Sequence, residues 1–190
     1  MFVQLSESVL LKDFYLAGGT ALALQIGHRK SYDLDFFQQG ALKNEDILEG
    51  LSGFEKLEIV AQSPRILVLM INNIKVDFVR HPYPLIDPLN TEGSLRLAAP
   101  KDIAAMKLHA VAGRGRKRDF TDLYFLLEKF TLKEMLSFYS LKYKDGNELM
   151  VIRSLCYFGD ADADPEINFT GQTVNWMTIK ETIAKAVKTL

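Results

Sequence analysis

Polar and apolar positions alternate in YDLDFF, residues 32–37, which is the period of a β-strand. Leu34 and Phe36 share one face, and Asp33 and Asp35 share the other. FYLAGG reads as a short strand entering a turn, and EKLEIVAQS, RILVLMI and IKVDFVR as three further strands. Only Asn72-Asn73 separates the last two, and asparagine tolerates the left-handed conformations that a tight hairpin requires. VQLSESVLLKDF reads as an amphipathic helix, TALALQIG as one or two helical turns, and NEDILEGLSGF as a helix with Asn44 as its N-cap. HPYPLIDPLNTEG is dense in proline and turn residues and predicts a linker or a long ordered loop. Everything beyond it predicts helix. Pro100 suits the first turn of PKDIAAMKLHAVAGR, and KRDFTDLYFLLEKF, TLKEMLSFYSLKY, GNELMVIRSLCYF and a last helix near TVNWMTIKETIAKAVKTL follow. The expected fold is α+β: an α/β lobe over residues 1–90, with a small mixed sheet and flanking helices, then a helical lobe over 91–190.

Composition narrows the class without naming the chemistry. The chain's 190 residues, 48% of them hydrophobic and 25% charged, suit one domain or two small lobes around one core. A net charge of −1 creates no global field for nucleic acid, so any such contact needs a local basic patch. The single cysteine, Cys156, excludes an internal disulfide framework and fits a reducing compartment. The opening MFVQLSESVLLKDF lacks the basic and small-residue features of a signal peptide, and no apolar run is long enough to span a membrane. A cytoplasmic protein is expected.

The chemistry begins with the carboxylates. Two carboxylates on one face of a buried strand repel each other and lose hydration. A divalent cation removes both costs, and Mg²⁺ prefers carboxylate and phosphate oxygens. On an exposed edge strand the same aspartates would simply face water, and the pair alone does not choose. IKVDFVR adds Asp77, with Val76 and Phe78 on the opposite face. If this strand lies beside YDLDFF, three carboxylates converge, a set able to hold metal ions for an in-line phosphoryl displacement. The competing reading is a solvated hairpin residue paired with Lys75 or Arg80. Upstream, Gly18 and Gly19 let the backbone approach a phosphate, the following helix offers its N-terminus, and Thr20 adds a hydroxyl.

Gly-Gly-Thr, then Asp33-Leu34-Asp35, then Asp77 resembles the polymerase-β-type nucleotidyltransferase superfamily. More closely, GGTALALQIGHRKSYDLDFF, KVDFV and AAPKDIAAMKLHAVAGRGRKRDFTDLYFLL are similar to the AbiEii family, over roughly residues 14–127. Its members are nucleotidyltransferase toxins of abortive-infection and toxin–antitoxin systems. The resemblance implies an NTP donor, Mg²⁺ (or Mn²⁺), and transfer of a nucleoside monophosphate to an acceptor hydroxyl, with pyrophosphate leaving. It points to the 3′ end of tRNA as acceptor and to a cognate antitoxin encoded nearby. By position it makes Asp33 and Asp35 metal ligands. Asp77 becomes the ligand of the catalytic metal that helps activate the acceptor hydroxyl, and Gly18, Gly19 and Thr20 hold the triphosphate. Thr20 stands where serine is common, and the hydroxyl is kept.

The helical half adds charge. Lys107 lies among Ile103, Met106, Leu108 and Val111; the resemblance makes it a triphosphate contact, whereas packing alone would make it a snorkelling lysine. Arg114, Arg116, Lys117 and Arg118 form a positive turn able to meet phosphates, or a solvated interhelix turn. Lys107 and this turn are expected to face the Asp33/Asp35 edge. Arg118-Asp119 with Asp122 matches the family's RDxxDL pattern, and Asp119 is read as orienting Arg118 or Lys107. His28, His81 and His109 lack metal spacing, DADADPE reads as a solvated loop, and Trp176 as a packing residue. Two alternatives to the tRNA-directed enzyme remain: a nucleotidyltransferase that modifies a protein side chain, and a nucleotide-binding regulatory module without turnover.

Overall fold

The segments of period two assemble into one seven-stranded mixed sheet: β1 (Tyr15–Ala17), β2 (Leu34–Gln38), β3 (Leu57–Gln62), β4 (Ile66–Ile71), β5 (Ile74–Arg80), β6 (Asn90–Glu92) and β7 (Leu95–Leu97). Their order is β3-β4-β5-β2-β1-β7-β6. The computed structural model describes residues 5, 6 and 8–190. β2 and β5 run parallel and side by side, as do β1 and β7, and the other pairings are antiparallel. Alternation explains the core. Leu34, Phe36, Val76 and Phe78 are buried on one face, with the Phe36 and Phe78 rings stacked 5.6 Å apart and Phe14 edge-on to Phe78 at 5.1 Å. Each such phenylalanine contributes roughly 1.5–3 kcal/mol by leaving water. The β4–β5 hairpin turns on Asn72 and Asn73, with φ of 50° and 65°, as the asparagine pair predicts.

The chain divides into two units. One comprises residues up to Ala21, Ser31–Pro84 and Pro88–Ala98, and carries the sheet. The other comprises Leu22–Lys30, Leu85–Asp87 and Ala99–Leu190. Helix α1 (Gly18–Ile26) begins in the first and ends in the second, and α2 (Asn44–Gly50) belongs to the first. The second holds α3 (Pro100–Gly113), α4 (Lys117–Leu126), α5 (Leu132–Lys142), α6 (Glu148–Ser154), α7 (Gly159–Asp162) and α8 (Trp176–Lys188). Within it, the fully buried Asp102 accepts the Ile86 and Asp87 backbone N–H groups at 3.0–3.1 Å and the Lys142 ammonium at 2.7 Å. Three backbone and ammonium donors satisfy a carboxylate that would otherwise be costly in the core.

Several expectations need correction. The proline-rich stretch is not all loop and the chain beyond it not all helix: β6 lies within that stretch and forms a hairpin with β7, which follows it and pairs with β1. The helix expected in VQLSESVLLKDF is, in its second half, a 3₁₀-helix at Val9–Asp13 capped by Ser8; residues 1–4 and 7 lie outside those described. Asn44 is the first residue of α2, and Lys43 takes the cap position without a side-chain bond. Asp33 lies one residue before β2, whereas Asp35 is within it.

Candidate active site

In the sheet-bearing unit, Asp35 and Asp77 are register partners on the parallel strands β2 and β5. Register partners project to the same face of a sheet from strands about 4.8 Å apart. Asp35 is half-buried and Asp77 buried. The Asp77 Oδ1 atom is buried with no hydrogen-bond partner, while Oδ2 is ion-paired with Lys75 on the same strand. The pairing with Lys75 expected of a hairpin residue is therefore present, but Asp77 is not solvated.

The small-residue turn abuts this pair. Gly18 opens α1 at φ +68°, and a Cβ on it would lie 2.7 Å from Asp35 Oδ2. Left-handed backbone and lack of room both demand glycine there. Thr20 is buried, 2.8 Å from the Ser31 hydroxyl and hydrogen-bonded to the Asp33 carbonyl. Its one proton goes to the carbonyl, so Ser31 donates to Thr20. Thr20 thereby ties the start of α1 to the residues entering β2.

These residues suit a divalent cation in part. Adjacent carboxylates, one with an orphaned buried oxygen, are the donors that a hard cation prefers. The expected three-carboxylate cage is not assembled: among the described residues no three His, Cys, Asp or Glu side chains are grouped to hold a metal.

The helical unit builds a second polar centre around Asp122, which is fully buried. Its Oδ1 accepts His28 Nε2 at 2.8 Å and Arg29 Nε at 2.6 Å; its Oδ2 accepts Arg29 Nη2 at 2.9 Å and pairs with Lys107 Nζ at 2.6 Å. Lys107 also donates to Asp119 Oδ1 at 2.8 Å, and Arg114 Nε reaches Asp119 Oδ2 at 3.0 Å. Burial pulls the Lys107 ammonium down, but Asp122 and Asp119 outweigh it and hold its pKa above the ordinary value. Burial would raise the two carboxylates; Lys107 with Arg114 at Asp119, and Lys107 with His28 and Arg29 at Asp122, hold both below theirs. Lys107 is an interior cation paired with Asp119 and Asp122, and not a snorkelling one. Asp119 thus accepts from both Lys107 and Arg114.

Sequence reasoning missed His28 and Arg29 as members of this centre. Arg29 is buried and grips Asp122 bidentately across 93 residues. The visible sign was GHRK, a basic break after an apolar helix and just ahead of DLD. Its partner could not be read from one-dimensional spacing.

The basic turn meets the acidic segment that was expected to be solvated. Arg116 pairs with Asp164 at 2.7 Å, and Asp164 also caps the Lys117 backbone N–H at 2.8 Å. Lys117 is buried, with Nζ on the Asp164 carbonyl at 2.8 Å and Glu166 at 3.1 Å. Asp162 accepts the Trp176 indole at 2.6 Å, and the half-buried Trp176 packs edge-on to Phe120 and Phe158. Arg118 is exposed. His109 stacks on Tyr143 at 4.5 Å, and burial lowers its pKa. His81 packs edge-on to Phe37 and Tyr83.

Comparison with known proteins gives the family and the fold. The family model described as nucleotidyl transferase AbiEii toxin, type IV toxin–antitoxin system, matches residues 1–186. An uncharacterized protein of Aquifex aeolicus (strain VF5) is 37% identical over 158 residues, covering 80% of this chain and 77% of that protein. Two solved structures share the fold. MenT4, a nucleotidyltransferase toxin from Mycobacterium tuberculosis H37Rv, superposes with a TM-score of 0.59 at 17% identity, covering 100% of this chain and 82% of its own. JHP933 from Helicobacter pylori gives 0.58 at 19% identity, covering 97% and 84%. No described helix is long and apolar enough to cross a membrane.

Proposed function

Since the chain belongs to the AbiEii family of nucleotidyl transferase toxins, we propose that it moves a nucleoside monophosphate from an NTP to an acceptor hydroxyl, with the 3′ end of tRNA as acceptor. The observation that carries this is the registered pair Asp35 and Asp77, one against Gly18 and the other with an orphaned buried oxygen. Asp35 and Asp77 would hold Mg²⁺. The metal would supply positive charge against the triphosphate and the departing pyrophosphate. Gly18 and Gly19 leave backbone room for phosphate, and Thr20 fixes the turn that presents it. As the acceptor oxygen bonds the α-phosphorus, the bond to the β-phosphate oxygen breaks, and Asp77 is the carboxylate assigned to take the hydroxyl proton. The family resemblance makes Lys107 a nucleotide contact, with Asp119 and Asp122 holding it charged.

A protein side chain as acceptor is the second reading, favoured by one observation. Arg114, Arg116 and Lys117 are already paired with Asp119, Asp164 and Glu166, which leaves the turn little charge for RNA phosphates. Incubation with each labelled NTP, Mg²⁺ and total RNA or lysate tests both. Label on RNA is the expected result, and label solely on protein would overturn the tRNA assignment. Asp35→Asn should abolish transfer with the fold intact; wild-type turnover in that variant would sink the metal-site assignment.

A further inference from the structure

We infer that Lys75 is the resident counter-ion of the Asp35/Asp77 pair and competes with the incoming divalent cation for Asp77 Oδ2, an inference that rests on the metal reading of that pair. Lys75 and Asp77 stand two apart on β5, so both project to the face that Asp35 shares. The ammonium is ion-paired to Oδ2. The two partners differ in exposure: the Lys75 side chain is 40% exposed and that of Asp77 only 11%. The lysine head can leave for water at little cost, whereas the carboxylate cannot follow it.

Asp77 Oδ1 has no hydrogen-bond partner and no solvent, so the ammonium on Oδ2 is the compensation that this buried charge receives. Without a cation, two adjacent carboxylates of one sign would face each other across β2 and β5. Lys75 relieves that repulsion with one positive charge. A divalent ion held by Asp35 and Asp77 would supply two positive charges, so the exchange favours it. The measured metal affinity is then a difference between the two states, lowered by the ammonium that must be displaced.

The test is Mn²⁺ titration, read as free Mn²⁺ by electron paramagnetic resonance, with thermal melting in chelator and in Mn²⁺, on wild type, Lys75→Met, Lys75→Arg and Asp77→Asn. Lys75→Met should bind Mn²⁺ about tenfold more tightly, a modest factor because a half-exposed charge is partly screened. It should melt below wild type in chelator and recover in Mn²⁺. Lys75→Arg, which keeps the charge, should bind like wild type. Equal or weaker Mn²⁺ binding by folded Lys75→Met overturns the role of Lys75 and leaves the metal site standing, as does tightening in Lys75→Arg equal to that in Lys75→Met. Lys75→Met that folds neither with nor without Mn²⁺ also overturns it, since a counter-ion must be replaceable by the cation. Absence of Mn²⁺ binding in wild type, or wild-type binding in Asp77→Asn, overturns the metal reading and this inference with it.

Discussion

Gly18 shows how much one side chain's absence can decide. An alanine there would hold a left-handed φ of +68° and place its Cβ 2.7 Å from Asp35 Oδ2. The backbone cost is about 1–2 kcal/mol, and relief of the clash must move the Asp35 carboxylate. Gly18→Ala should therefore lower transfer well beyond what its loss of stability explains. Single-turnover assays on the folded fraction, beside urea melts, would check this. At Asp122 the balance is the reverse, with stability ahead of chemistry. Asp122→Asn leaves Arg29 and Lys107 buried with one carboxylate fewer, so a loss of about 3–5 kcal/mol is expected, measurable by urea denaturation. The same centre sets a pH window. Asp119 and Asp122 titrate below 3.8 in the folded state, so their stabilisation is present above that value and lost as pH falls through their folded pKa values. Lys107 titrates above 10.5, so its contribution is complete below that value and lost as pH rises through its folded pKa. Denaturation midpoints at stepped pH should show a plateau between these limits, with an acid-side decline that is smaller in Asp122→Asn.

At the scale of elements, α4 starts without a cap of its own. Its N-cap residue, Arg116, makes no side-chain cap bond, and Asp164 supplies the acceptor from 47 residues away. Asp164→Ala should cost about 1 kcal/mol, as the loss of an N-cap does, plus whatever the Arg116 pair contributes. A drop of a few degrees in melting temperature is expected, and an unchanged melt would show that water caps α4 equally well. By contrast α5 is capped locally, by Thr131 and Glu134 in a capping box. The first arrangement depends on the tertiary fold and the second on four consecutive residues.

For the whole molecule, a net charge of −1 and a basic turn already paired with carboxylates predict weak general attraction to RNA. If tRNA is the acceptor, few phosphates are neutralised and the slope of log affinity against log salt should be shallow, near that of two or three contacts. Filter binding from low to moderate salt would measure it. A steep slope would mean that the Asp164 and Glu166 pairs open on binding. Label that survives ribonuclease on a polypeptide would move the acceptor to protein.

Local pattern alone determined the strands β1 to β5, the Asn72-Asn73 hairpin and most of the helices, and it singled out Gly18, Asp35 and Asp77 as candidates, because alternation, turn chemistry and buried charge leave marks within a few residues. It did not determine β6 and β7. Each is three residues long, too short for a period to register, and β7 is held in place by Leu16, far from Leu97 in the chain. Nor could it show that Asp33 stops short of β2, that Arg29 and His28 close on Asp122, or that the basic turn is answered by Asp164. Those are contacts between residues tens of positions apart, and only the packing of the folded chain brings their charges within hydrogen-bonding distance.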